Sequence, residues 1–311
     1  MPLKVTVGIA TWNRCDLLRQ TLESMTNLRI PADITWEILV CDNNSTDQTR
    51  SVVEQMKHLL PVQYLFEGRQ GKTYALNRIA DQASGDWLFY TDDDVLVDPD
   101  WIVAYCEAVR RYPDAAIFGG QVLPWLTKPV RGRSAYLLRA FPWVNAVLKF
   151  DQDMPILNKG GYMPYGPNMA VRTDLLRHHR FDDTSTMKGR QRGAEDFELV
   201  DRFLRLGYTG RLIAASRVSH YIPANRVGFK WWRKWHLGAG EFWIKEKGPA
   251  PPASFLGLRP WLWRLTLVRL CQAVLRWRPG NPRKSYEALA DLLMQIGYVK
   301  TSDRLRREVN A

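Results

Sequence analysis

Cysteine is sparse in this 311-residue chain: Cys15, Cys41, Cys106 and Cys271 stand far apart and form no C-x-x-C pair. That spacing excludes a zinc ribbon and a disulfide framework and points to a reducing compartment. Signal-peptide features are not read at the amino terminus either. The chain enters Val5-Thr6-Val7-Gly8-Ile9 almost at once, without the basic segment, apolar run and cleavage site of a signal peptide, so export is not expected. The longest apolar helical run, Trp261 to Trp277, is interrupted by Arg264 and Arg269. It falls short of the ~20 residues of a membrane span, and each central arginine costs roughly 2.5–3.5 kcal/mol on insertion. Helix-turn-helix, RNP and zinc patterns are absent as well, so the net charge of +12 is not read as a nucleic-acid footprint.

What is present suits a folded enzyme. Hydrophobic residues make up 46% of the chain and charged residues 24%, ordinary globular usage with room for one large or two modest domains. The positive balance points to an anionic partner, either a phosphate-bearing substrate or acidic lipid headgroups.

Strand and helix patterns alternate through the first third. Val5 to Ala10 reads as a buried strand, followed by the turn Thr11-Trp12-Asn13-Arg14, with Asn13 placed to cap a helix and Asp16 three positions on. Leu17, Leu18, Thr21, Leu22 and Met25 share one face of that helix at helical period. A second strand, Trp36 to Cys41, ends in Asp42-Asn43-Asn44-Ser45. After a helix through Val52, Val53 and Met56 come a strand at Val62 to Phe66, a helix through Leu76 and Ile79, and the strand Trp87 to Tyr90. This rhythm predicts an α/β fold with a mainly parallel sheet flanked by helices and right-handed crossovers.

Such a sheet lines its polar strand ends along one carboxyl edge. Thr11 to Arg14, Asp42 to Asn44 and the consecutive carboxylates Asp92-Asp93-Asp94 then form one crevice. Asp42 and Asn44 suit a base or ribose, Arg14 and Lys72 suit phosphates, and the triple aspartate suits a divalent cation. Each also has a plainer reading, as helix cap, surface charge or solvated turn.

Ile9 to Arg14, Val40 to Asp47, Ala75-Leu76-Asn77, Gly85-Asp86-Trp87 and Asp92-Asp93-Asp94, in that order, resemble family 2 of the inverting nucleotide-sugar glycosyltransferases. The resemblance implies a GT-A fold. It makes Asp94 the metal ligand, places Asp92 or Asp93 on the ribose or the metal's waters, and gives Asp42 the base, with Thr11 and Trp12 in the same nucleotide-sugar site. It extends to Tyr165-Gly166-Pro167-Asn168-Met169-Ala170 near the donor sugar and acceptor, and to Glu195-Asp196, where Asp196 becomes the catalytic base with Glu195 supporting it. The plainer reading is that both acids complement the dipole of the next helix, whose apolar side carries Leu199, Val200, Phe203, Leu204 and Leu206. His220 either completes the metal shell or is simply packed. Lys188, Arg190 and Arg192 precede the base as diphosphate contacts or surface charges.

Beyond Pro223, Trp231, Trp232, Trp235, Phe242 and Trp243 alternate with basic residues. Indole packing and sugar stacking are both open to them. Where processive relatives carry Q/R-x-x-R-W, this chain has Lys230-Trp231-Trp232-Arg233-Lys234-Trp235, which leaves processivity open. The run from Trp261 either packs on the core or lies on an anionic membrane surface.

The chain is therefore expected to divide at residues 1–100 (nucleotide-sugar half), 101–224 (acceptor and base half) and 225–311 (basic, Trp-rich helical extension). The expected activity is Mn²⁺- or Mg²⁺-dependent inverting transfer of a sugar from a nucleotide-sugar donor, UDP-linked, to a glycan, lipid-linked or polysaccharide precursor at the cytoplasmic face. The alternative is a catalytically silent GT-A scaffold or glycan-binding module.

Overall fold

The computed structural model describes residues 2–157, 162–182, 195–240, 260–275 and 282–309, with residues 244, 248 and 250. Described residues within 2–126, 146–182 and 195–222 form one compact unit, and those within 127–145 and 223–309 form another. Lys188, Arg190, Arg192, Phe242, Trp243 and Trp277 lie outside the described residues.

The first unit is built on β1 (Leu3–Thr11), α1 (Cys15–Met25), β2 (Ile34–Asp42), α2 (Thr49–Met56), β3 (Val62–Phe66), α3 (Lys72–Gln82) and β4 (Trp87–Asp92). Next come β5 (Val95–Val97), α4 (Trp101–Arg111) and β6 (Ala115–Trp125). Then follow β7 (Met154–Pro155), β8 (Met169–Arg172), α6 (Thr173–His178), α7 (Glu195–Arg205) and β9 (Thr209–Tyr221). The strands join in one nine-stranded sheet, ordered β3-β2-β1-β4-β8-β6-β9-β5, with β7 also on β9. The pairs β1–β2, β2–β3 and β1–β4 are parallel, as the alternating pattern predicts, and β6–β9 is parallel as well. The short strand β8 runs antiparallel between β4 and β6, which makes the sheet mixed. Val5, Thr6, Val7 and Ile9 are all buried, so β1 is covered on both faces, as expected of a central parallel strand.

The turn after β1 differs from its sequence reading. Asn13 does not cap α1. Its Oδ1 accepts from Thr46 N at 2.7 Å, while the carboxylate of Asp47, from the neighbouring loop, accepts from Cys15 N at 2.9 Å and from Thr49 N at 3.0 Å. One acid thus serves the first turns of both α1 and α2, and these bonds hold its pKa low against the opposing effect of burial. Asn13 (φ 52°) and Asn44 (φ 66°) both adopt the left-handed conformation that asparagine tolerates better than most residues.

Helix α7 buries Leu199, Val200 and Phe203 as expected, but Leu206 is exposed. It sits past the last helical residue, where the chain turns at Gly207 (φ 89°) and Tyr208 N donates back to Phe203 O at 3.1 Å. That bond is a Schellman closure, which swings Leu206 off the apolar face.

Asn168 is wholly buried and joins three elements. Its Oδ1 accepts from Trp101 Nε1 (2.8 Å), Tyr105 Oη (2.6 Å) and Ser216 Oγ (3.1 Å), and its Nδ2 donates to Gln121 O at 2.9 Å. Gly120 leaves the space, since a Cβ there would collide with the Asn168 and Ser216 side chains. Replacing Asn168 with Ala strands two buried donors from Trp101 and Tyr105. We expect a loss of about 2–4 kcal/mol, read as a melting point lower by about 5–10 °C.

The second unit contains α5 (Gly132–Ala140), α8 (Phe229–Ala239), α9 (Pro260–Leu275) and α10 (Arg283–Val309). Its core packs Phe141, Trp232 and Tyr286 with Leu137, Val144, Ala290 and Leu293. The Trp232 ring lies 5.4 Å from Phe141 and 5.5 Å from Tyr286, so this indole serves packing. Gly240 and Gly297 let the end of α8 and the middle of α10 meet backbone to backbone, because a Cβ on either would strike main-chain atoms of the other segment.

Candidate active site

The carboxyl ends of β1, β2 and β4 lie side by side, since Thr11 pairs with Asp42 and Ala10 with Asp92 across parallel ladders. Asp93 and Asp94 occupy the two-residue turn from β4 into β5, and both are buried. β5 in turn lies antiparallel to the end of β9, with Val95 opposite His220, and Tyr221 N donates to Asp94 O at 2.9 Å. That pairing brings a histidine 126 residues downstream onto the acidic turn.

Buried carboxylates side by side need counter-charge. Arg14 Nη1 donates to Asp93 Oδ1 at 3.0 Å and to Asp94 Oδ2 at 2.8 Å, and Thr11 Oγ1 donates to Asp93 Oδ2 at 2.8 Å. Burial still raises the Asp93 pKa, against Arg14 and with help from Asp94. Burial pushes Asp94 the same way, but His220, then Arg14 and Lys72, outweigh it and keep this carboxyl ionised.

Asp92, Asp94 and His220 each offer one ligand atom, all within 4.8 Å of one another. Asp94 Oδ1 is buried and faces His220 Nε2 at 3.4 Å. Two carboxylates and an imidazole suit a manganese- or magnesium-like ion, so the residues fit a divalent metal.

Lys72, at the first turn of α3, is positioned by a loop that Asn43 organises. Asn43 Nδ2 donates to Glu67 O (3.2 Å) and Arg69 O (2.6 Å), and its Oδ1 accepts from Gly71 N at 2.7 Å. The Lys72 ammonium then reaches Asp92 Oδ1 at 2.6 Å and Glu195 Oε1 at 3.7 Å. Burial works against its charge, but Asp92, then Glu195 and Asp196, more than offset this and raise its pKa.

Asp196 lies half-buried at the start of α7. Its Oδ2 accepts from Gly166 N at 2.7 Å and its Oδ1 from Phe197 N at 2.8 Å. Burial first, and the Glu195 carboxylate second, push its pKa up to about 7, with Gly166 N–H, Lys72 and Phe197 N–H opposing. Tyr165 beside it is pushed up to about 12 by burial and by Asp196. A carboxylate poised near neutral pH and reachable from solvent is suited to accept a proton.

Thr11, Arg14, Lys72, Asp92, Asp93, Asp94, Glu195, Asp196 and His220 are therefore brought together. Asp42 lies to one side, buried, with Oδ1 accepting from Ser45 N and Oδ2 from Tyr64 Oη, both at 2.8 Å. Trp12, 41% exposed, and Asn44 project to the surface beside it. Tyr64 escaped the sequence reading, in a strand read only as an apolar segment. Gly166 lies in a segment that the resemblance places at the site, but it acts through a backbone N–H that no side-chain pattern reveals.

Residues 6–180 match the family model described as Glycosyl transferase family 2. The chain is 27% identical over 247 residues to succinoglycan biosynthesis protein ExoM of Rhizobium meliloti, covering 77% of this chain and 74% of that protein. It is 23% identical over 238 residues to the glucosyl-dolichyl phosphate glucuronosyltransferase of Haloferax volcanii, covering 74% and 72%. Among solved structures it resembles the mannosyltransferase PcManGT of Pyrobaculum calidifontis, in complex with GDP-Man and Mn²⁺. The TM-score is 0.54 at 17% identity, over 97% of this chain and 74% of that one. It also resembles S. aureus TarS 1-349 in complex with UDP-GlcNAc, with a TM-score of 0.53 at 13% identity over 97% and 92%. At these identities the structural likeness shows the GT-A fold alone. The family model, which spans more than half of the chain, shows the rest: this protein belongs to glycosyl transferase family 2 and is a glycosyltransferase.

Proposed function

We propose that the protein transfers a sugar, with inversion, from a nucleotide-linked donor to a hydroxyl of a polysaccharide or lipid-linked glycan precursor. The observation that carries this reading is a division of labour around Lys72: a metal-suited set, Asp92, Asp94 and His220, on one side and the poised carboxylate Asp196 on the other. Asp94 and His220 would hold Mn²⁺ or Mg²⁺, with Asp92 beside them. A metal bound there supplies positive charge to the departing diphosphate.

The chain's own residues perform the remaining work. Asp196 takes the proton from the acceptor hydroxyl as the new glycosidic bond forms, while the bond to the nucleoside diphosphate breaks on the opposite face of the anomeric carbon. Gly166 N–H and Phe197 N–H each engage one carboxylate oxygen and so fix its orientation. Glu195 raises the basicity of Asp196, and Lys72 tempers it. Arg14 braces the acidic turn, and Thr11 orients Asp93. Asp42, with Asn44 and Trp12 nearby, is the proposed base and ribose end of the site.

Polysaccharide and lipid-linked acceptors are supported by what the relatives' names state, succinoglycan biosynthesis in one case and a glucosyl-dolichyl phosphate in the other. UDP is the proposed donor nucleotide, and the two structural neighbours, one with GDP-Man and one with UDP-GlcNAc, define the competing choice. A panel of nucleotides and nucleotide sugars, monitored by thermal shift with and without Mn²⁺, tests the reading. We expect a UDP-sugar to raise the melt only with metal present, by about 2.7 kcal/mol of added stability at a hundredfold excess over Kd. No shift with any nucleotide would favour a silent scaffold.

A further inference from the structure

Among its described residues, helix α9 presents apolar side chains to solvent. Leu267 is 65% exposed, Val274 73% and Leu275 82%, and Val268 and Cys271 are exposed as well. Steps of three and four residues place all five on one helical face, with Arg264 one turn ahead of Leu267 and Val268. On another face Arg269 turns toward α10, pairing with Asp291 at 3.2 Å and with Gln272 at 3.1 Å. An exposed apolar face is the reverse of a helix that packs its stripe on a core and shows water its charge, and the Arg269–Asp291 pair that joins this helix to α10 is itself only partly buried.

The surrounding charge identifies what covers this face. Residues 223–311 hold 17 Lys and Arg against 6 Asp and Glu, a net +11 of the chain's +12. Lys230, Arg233 and Lys234 on α8 and Arg283 and Lys284 on α10 are exposed. A second copy of this chain would bring +11 against +11, whereas an anionic bilayer answers both the charge and the apolar face. Among the described residues no helix is long and apolar enough to cross a membrane, so α9 would lie in the interface plane.

We propose that α9 is a membrane-docking helix: its Leu267, Val268, Cys271, Val274 and Leu275 face enters the headgroup–acyl boundary of an anionic bilayer, held by the basic residues around it. This goes beyond the transferase reading, and binding is measured without turnover, so either can fail alone.

Flotation of the full chain with phosphatidylglycerol–phosphatidylcholine vesicles tests it. The wild-type protein should float at low salt, and binding should weaken on pure phosphatidylcholine and at about 0.5 M salt, where the Debye length falls below ~5 Å. Combining Leu267→Gln, Val274→Gln and Leu275→Gln should weaken binding at least ~10-fold with the melting point unchanged, because these side chains are already in water. Arg264→Glu should weaken it by roughly fivefold or more through charge. Wild type remaining in the lipid-free fraction, or a triple variant that floats like wild type, would overturn the proposal. So would a dimer in solution that the triple variant converts to monomer without changing flotation.

Discussion

Substituting Asp196 with Asn will reduce sugar transfer by about 10²–10⁴-fold, the usual contribution of a positioned general base, and will at the same time stabilise the fold above neutral pH. Both effects come from one pKa. Burial and Glu195 raise the Asp196 carboxyl to about 7, so near pH 5 the folded state holds a proton that the unfolded chain releases near pH 4. The stability due to that proton is complete below the unfolded pKa and is lost as pH rises through the folded one. An amide has no proton to lose there. The advantage of Asp196→Asn should therefore grow between about pH 4 and pH 7 and then stay level. After allowance for its partial exposure, it amounts to about 1–2 kcal/mol, or roughly 2–8 °C in melting point. Wild-type kcat/KM should rise with pH through about 7 as Asp196 ionises. A variant that transfers at the wild-type rate would remove Asp196 from the mechanism, and an unchanged melt at pH 8 would show that the carboxylate is not strained.

Substituting Asp94 with Ala should abolish the metal response. This side chain belongs to the Asp92, Asp94 and His220 set, and His220, Arg14 and Lys72 hold its carboxyl ionised against burial. The rise in melting temperature expected of the wild-type protein with Mn²⁺ should disappear, a readout independent of turnover. Transfer should fall by about 10³-fold, the equivalent of roughly 4 kcal/mol of lost charge stabilisation. Arg14 keeps Asp93 as a partner at 3.0 Å, so the variant should still fold. A persisting Mn²⁺ shift would move the metal site elsewhere, and unchanged transfer would make the reaction independent of Asp94.

Much of the architecture was legible in advance because it is encoded locally. β1, β2, β3 and β4 are short apolar segments separated by helical patterns, and that alternation is what parallel crossovers require. It also implied that the strand ends at Thr11, Asp42 and Asp92 would share an edge, which the ladders bear out. Where the reading of the first turn went wrong, a distant group outcompeted a near one. Asn13 has suitable spacing to cap α1, but Asp47 is charged and held by a second helix start, so it takes the bond instead. Leu206 fits the helical period of α7, yet Gly207 ends the helix just beyond it.

The amino-acid sequence alone determined the α/β fold and the kinds of residue at the crevice, since periodicity and strand-end polarity act over a few residues. Only the tertiary structure decided which of them meet. The antiparallel pairing of β5 with β9 brought His220 to Asp94, and the loop shaped by Asn43 set Lys72 between Asp92 and Glu195. The same holds for α9, whose composition is compatible with either core or surface. Which face it buries depends on its partner helix: Arg269 pairs with Asp291 of α10, while Leu267 and Val274 are exposed. Such choices rest on contacts between residues tens of positions apart, for which local pattern carries no signal.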